Sequence, residues 1–286
     1  MPLPDPTRDP SLRHEVMNLE HLPPLTPVAA RLLAVASDPD LAINELAVII
    51  EQDPPLTARI LGLANSAFFG QVNPIFKVEH AIIRVLGLNM VRSLALSIAL
   101  SGSFDTRQCR SFDPSDHWLN ALATSALAAA IGRRLVGNPW PPLVDALHLA
   151  GLVHNIGTLV LVHVRPIQMA EVFDQEAVEK APEDLAPERA LLGVDRWQAG
   201  QWLALRWHLP EVVLHTLGAL GEADYQGPHT EVTGIVKSAS RWVHARLRGA
   251  EMALSIPGIS DELAASAEHE VTEQLEDLRA MAAMLK

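Results

Sequence analysis

The chain has 286 residues, 49% of them apolar and only 5% aromatic, with a single tyrosine. Its 34 Asp and Glu against 22 Lys and Arg leave a net charge of −12, which argues against general affinity for nucleic acid or anionic membranes. One cysteine, Cys109, excludes an intrachain disulfide and suits a reducing compartment.

Leu and Ala dominate the apolar half, and no stretch shows the β-branched alternation of a sheet protein, so the predicted class is all-α. The length suits two subdomains around one shared core. No signal sequence opens the chain, and its apolar runs are broken by Thr, Ser, His or Asn before transmembrane length. The expectation is a soluble, cytoplasmic protein.

The opening "MPLPDPTRDP" is proline-rich and reads as a flexible N-terminus over residues 1–19. An N-terminal helical subdomain is predicted over 20–107 and a second helical subdomain over 108–286. Asp-Pro steps mark helix starts, with Asp as cap and Pro in the first turn, at Asp53-Pro54 and Asp113-Pro114. "GLNMVRSLALSIALSGSF" reads as a largely buried helix ended by Gly102. Long helices are predicted over 115–135 and 143–163. Between 165 and 195, eight acids stand against three bases, and this stretch reads as a solvated face or loop. "GVDRWQAGQWLALRWHLP" predicts a helix capped by Asp195 and ended before Pro210, with further helices near 210–220 and 230–248. Over 260–286 the spacing of Val271, Leu275, Leu278, Ala282 and Leu285 predicts a helix laid on the body.

Catalytic motifs are scarce. There is no Gly-rich phosphate loop and no nucleophile elbow, and Ser66 lacks a neighbouring base. His148 and His154 diverge by about 240° on a helix, and His208 and His215 lie about 10 Å apart along one, so neither pair shares an ion. A helix-turn-helix reading of "INELAVIIEQDPPLTARILGLANS" fails on charge, because residues 41–65 carry three acids and one base. The anomaly is "DALHLAGLVHNIGTLVL", which sets His154-Asn155 inside an apolar run where polar groups need partners.

Taken together, "LPPLTPVAARLLAVASDPDLAINELAVIIEQDPPLTARILGLANSAFFG" and "HAIIRVLGLNMVRSLALSIAL" closely resemble the N-terminal half of the HDOD domain. That is the HD-related output domain of bacterial signalling proteins. Leu22-Pro23, Leu25, Asp53-Pro54, Asn65-Ser66 and Leu86-Gly87-Leu88 stand in the family's order, and the resemblance covers roughly residues 20–220.

The resemblance implies a helical fold related to metal-dependent HD phosphohydrolases. Position by position, the ligands of those enzymes fall here on Asn120, His154, Asn155, Arg196 and Ser240, with a His-His pair falling on Leu220-Gly221. Of these only His154 is a ligand type retained. An amide binds hard divalent ions far more weakly than a carboxylate, and an Arg repels them. The expectation is therefore no metal, no cofactor, no catalytic residues and no enzymatic activity. His154 and Asn155 are expected to lie buried and hydrogen-bonded to Arg196, Asn120 or their surroundings. The predicted role is a signal-transduction output module that binds a protein partner or an upstream sensory or receiver domain, with no nucleic acid and no membrane. The oligomeric state stays open, and the alternative is a divergent metal-dependent phosphohydrolase acting on a nucleotide.

Overall fold

The computed structural model describes residues 25–35, 38, 40–65, 69, 73–135, 141–179 and 185–285. The predicted flexible N-terminus, Leu22-Pro23 and Ser66 lie outside them. The described residues form helices α1 (Pro27–Val35), α2 (Ile43–Glu51), α3 (Pro54–Ala64), α4 (Val78–Ala81) and α5 (Leu88–Ser101) in the N-terminal part. They continue as α6 (Pro114–Leu135), α7 (Pro141–Val153), α8 (Ile156–Val164), α9 (Pro166–Glu179) and α10 (Ala186–Leu192). The last are α11 (Arg196–Arg206), α12 (Glu211–Ala219), α13 (Thr230–Leu247) and α14 (Asp261–Ala283). The protein is all-α.

Local chemistry sets several boundaries. The Asp53 carboxylate accepts from the Leu56 amide at 3.0 Å, capping α3 as its Asp-Pro step predicts. Asp195 and Gln198 form a reciprocal capping box on α11. Asn65 donates to the Ile75 carbonyl and accepts from the Ile75 amide, both at 2.7 Å, tying the end of α3 to the segment before α4. Thr57 spends its hydroxyl on the Ile50 carbonyl at 2.9 Å, which takes it away from any base-reading role.

One apolar core runs from Val28 in α1 to Leu285 after α14. Helix α6 is its axis, buried on nearly every side by α7, α13 and α14. Val271, Leu278, Ala282 and Leu285 of the C-terminal seam are buried, so α14 lies along the body as its spacing predicts. Helix α5 carries buried polar groups to a seam with α7. There Arg92 donates to Asp145 at 2.6 Å, with both side chains nearly enclosed. The half-buried His148 ring sits between the hydroxyls of Ser93 and Ser125.

Two expectations need correction. The helix expected over 143–163 is two helices, broken at His154-Asn155. The stretch Leu143–Val164 has the length and hydropathy of a bilayer span, yet 83% of its most apolar window is buried inside the protein. The acidic stretch 165–195 is not simply a solvated face. It contains α9 and α10, and from these Glu176 and Glu188 turn inward to full or near-full burial.

The break has a packing partner. Gly157, in the first turn of α8, sits so close to α11 that a Cβ there would fall 1.8 Å from the Arg196 carbonyl oxygen. Gly200 completes the contact from the other side, its amide 2.5 Å from that same hypothetical Cβ. Only glycine permits this approach, and it brings the start of α11 against the His154-Asn155 turn.

Candidate functional site

All five positions singled out by the resemblance meet. Asn120 from α6, His154 and Asn155 from the break, Arg196 from α11 and Ser240 from α13 line one cleft of about 600 Å³. Leu220 and Gly221 line a neighbouring depression instead, beside Trp197.

His154 and Asn155 are buried, at 1% and 9% exposure, as an apolar helix run demands. Their partners are not Arg196 or Asn120. His154 donates from Nδ1 to the Gly151 carbonyl at 2.7 Å, which leaves Nε2 as the acceptor of a neutral ring. Burial pushes its pKa down to about 4. Asn155 donates from Nδ2 to the His117 carbonyl at 3.1 Å and faces His117 Nδ1 at 3.4 Å. With Nδ1 accepting, the His117 proton belongs on Nε2, a buried atom without a partner. Burial, reinforced by His154 and Arg196, pushes His117 down to about 3.

Arg196 belongs to a different network. It pairs with Glu176 and, through Nε at 2.5 Å, with Glu188, whose second oxygen accepts the Arg196 amide at 2.7 Å. Glu188 is wholly enclosed. Burial raises its pKa even against the pull of Arg196. Arg196 is itself desolvated, but Glu188 and Glu176 outweigh that and hold it charged. Arg248 approaches the far oxygen of Glu176 at 4.0 Å.

Four residues of this site escaped sequence reasoning: His117, Glu176, Glu188 and His244. His117 stands three residues before Asn120, beside Trp118, with nothing in the local pattern to mark it as part of the site. The two glutamates were hidden in the acidic stretch, with no local pattern to say they turn inward. His244 lines the cleft, its Nε2 also without a partner, and burial with Arg248 and Arg196 holds its pKa near 4.

The residues do not fit the divalent metal of HD phosphohydrolases. Asn155 presents its amide nitrogen to His117, and the buried carboxylates Glu176 and Glu188 are engaged by a guanidinium. Among the described residues no group of three His, Cys, Asp or Glu side chains stands close enough to share an ion. What the arrangement offers is hydrogen bonding: a donor on His117 Nε2, an acceptor on His154 Nε2 and the polar ends of Asn120 and Ser240.

Asn155→Asp tests this. The new carboxylate would replace a donor facing a carbonyl with an acceptor, in a buried place. His117 could shift its proton to Nδ1 and answer it, but its carbonyl could not. A loss of roughly 1–3 kcal/mol is expected at neutral pH. Because burial would raise the new carboxyl's pKa, the penalty should be full above that pKa and shrink as pH falls toward the ordinary carboxylate range. Thermal melts of both proteins with and without Mn²⁺ check it: a marked rise of the variant's Tm with metal would show a working ion site.

A family model described as the HDOD domain matches residues 22–219. An uncharacterised protein of Treponema pallidum (strain Nichols) is 25% identical over 199 residues, covering 70% of this chain. The chain spans only 37% of that relative's length. Among solved structures, a protein of Marinobacter aquaeolei VT8 provisionally named for signal transduction superposes with TM-score 0.80 at 25% identity, over 98% of this chain and 66% of its own. An HDOD domain protein of unknown function from Geobacter sulfurreducens gives TM-score 0.70 at 23% identity, over 96% and 97% of the two chains. A protein of Shewanella amazonensis SB2B, provisionally named a phosphohydrolase, gives 0.71 at 24%, over 97% and 98%. The likeness to these last two is one of fold.

Proposed function

The chain belongs to the HDOD domain family, and on that premise we propose that it is a non-catalytic output module of signal transduction. It acts by binding a protein partner or an upstream sensory or receiver domain. The observation that carries this reading is Arg196, held in the cleft between Glu176 and Glu188 at a position where the resemblance to HD enzymes implies a metal ligand. Hydrolysis by their chemistry needs a metal-activated water. A guanidinium at that place, beside an amide that donates to His117, supplies neither the ion nor a base. Such a module transmits a signal through differential binding to its partner. The net charge of −12 steers that partner away from nucleic acid and anionic membranes.

A divergent phosphohydrolase is the second reading, favoured by His117, His154 and His244 lining one cleft. Elemental analysis of the purified full chain separates the two. The expected result is no stoichiometric Mn, Fe, Mg or Zn after dialysis and no turnover of phosphoesters. About one or two retained ions per chain, or metal-dependent hydrolysis, would reverse the assignment. A pull-down from the native host, with the full chain as bait, should recover a signalling protein.

A further inference from the structure

Residues lining the cleft carry buried hydrogen-bonding atoms that the protein itself does not satisfy. His117 is 8% exposed and its Nε2 has no partner. Ser115 Oγ and His244 Nε2, on residues lining the same cleft, are likewise buried and unpartnered. Buried polar groups in folded proteins are nearly always paired, so three orphans around one space point to something that pairs them. The space is of ligand size.

Shape and charge narrow the class. Phe112 and Phe173 stand 5.9 Å apart at 31°, and Phe112 lies 5.5 Å from the His117 ring. Trp197 also lines the cleft, 6.3 Å from His154. These are walls for a flat ring. The charges lining the cleft cancel: Arg196, Arg248 and Arg279 against Asp113, Asp116 and Glu176. Arg196 is already bound to glutamates, so no free buried charge awaits an ion.

We propose that this cleft binds a small, uncharged, ring-bearing molecule that accepts a hydrogen bond from His117 Nε2 and stacks among Phe112, Phe173 and Trp197. The site would let the output module sense a metabolite without converting it. This goes beyond the signalling role and can fail separately from it.

The test is thermal shift and calorimetry of the full chain with neutral heteroaromatic probes (adenine, cytosine and nicotinamide), beside AMP and inorganic phosphate. At least one neutral ring should raise the Tm in a dose-dependent way. AMP should do no better than adenine, and phosphate should do nothing. His117→Phe should abolish the effect. Since that change also removes the ring that Asn155 faces, Ser115→Ala and His244→Phe serve as further variants, each expected to weaken binding about tenfold, the worth of one hydrogen bond. The inference is overturned if no neutral ring binds, if only the phosphate-bearing probes bind, or if binding survives all three variants. Turnover of a bound probe would end the non-catalytic reading and leave this site standing; absence of binding together with absence of metal would do the reverse.

Discussion

Replacing Arg196 with methionine is expected to cost about 3–5 kcal/mol at pH 7, the usual result of stripping one partner from a buried ion cluster. Glu188 is fully enclosed and Glu176 nearly so, and without the guanidinium both carboxylates would face each other's charge. Arg248, 4.0 Å from Glu176 and itself partly exposed, is too distant to replace it. Glu188, whose pKa burial already raises, would then hold its proton to still higher pH. Its penalty is therefore full above that raised pKa and fades as pH falls toward the unfolded carboxylate range. Urea denaturation at pH 7 and pH 5 measures this as a gap from the parent that narrows with acid. Adding Glu188→Gln to Arg196→Met should recover part of the loss. A single variant within about 1 kcal/mol of the parent at pH 7 would mean that water reaches the cluster.

The parent protein is itself expected to be acid-labile. His117 and His154 are neutral in the fold, with pKa values near 3 and 4, against about 6.5 in an unfolded chain. A lowered histidine pKa costs nothing above pH 6.5, where both states are neutral. Below it the unfolded chain takes up protons that the folded one refuses, so stability falls until the folded pKa is reached. By pH 5 each ring accounts for about 2 kcal/mol, and the pair for about 4, a large share of a typical domain's stability. His148 does not follow the same pattern. Ser93 and Ser125 can both accept from its ring and favour the charged form, while burial and Arg92 oppose it. Denaturation midpoints between pH 7.5 and 4.5, with proton uptake followed calorimetrically, check the slope. A flat profile between pH 7 and 5 would show that water reaches both rings.

The helices were legible because their signals are local. Asp53 and Asp195 cap where Asp precedes a helical run, α5 ends at Gly102, and the spacing of Val271, Leu278 and Ala282 places α14 on the body. The fold class followed from Leu and Ala, and the family from the order of short motifs. The site was legible only as positions. Asn120, His154, Asn155, Arg196 and Ser240 do share a cleft, but their bonds could not be inferred. Glu176 and Glu188 lie 20 and 8 residues from Arg196, and nothing local distinguishes them from the exposed acids around them. His117 is 38 residues from Asn155. The break after Val153 was invisible for a related reason: an apolar run continues through it, and the contact of Gly157 that accompanies it is with a backbone far along the chain.

That contact also fixes how motion could pass through the molecule. Helix α7 carries His148 and Asp145 against α5 at one end and the His154-Asn155 turn at the other, about 9 Å further on by helical rise. With no side chain at Gly157 or Gly200 to act as a cushion, α8 and α11 bear on each other through bare backbone, and the turn cannot shift without displacing Arg196. The cleft and the N-terminal helices are therefore mounted on one shared beam, α7, which meets α5 through Asp145 and His148 and ends at the His154-Asn155 turn.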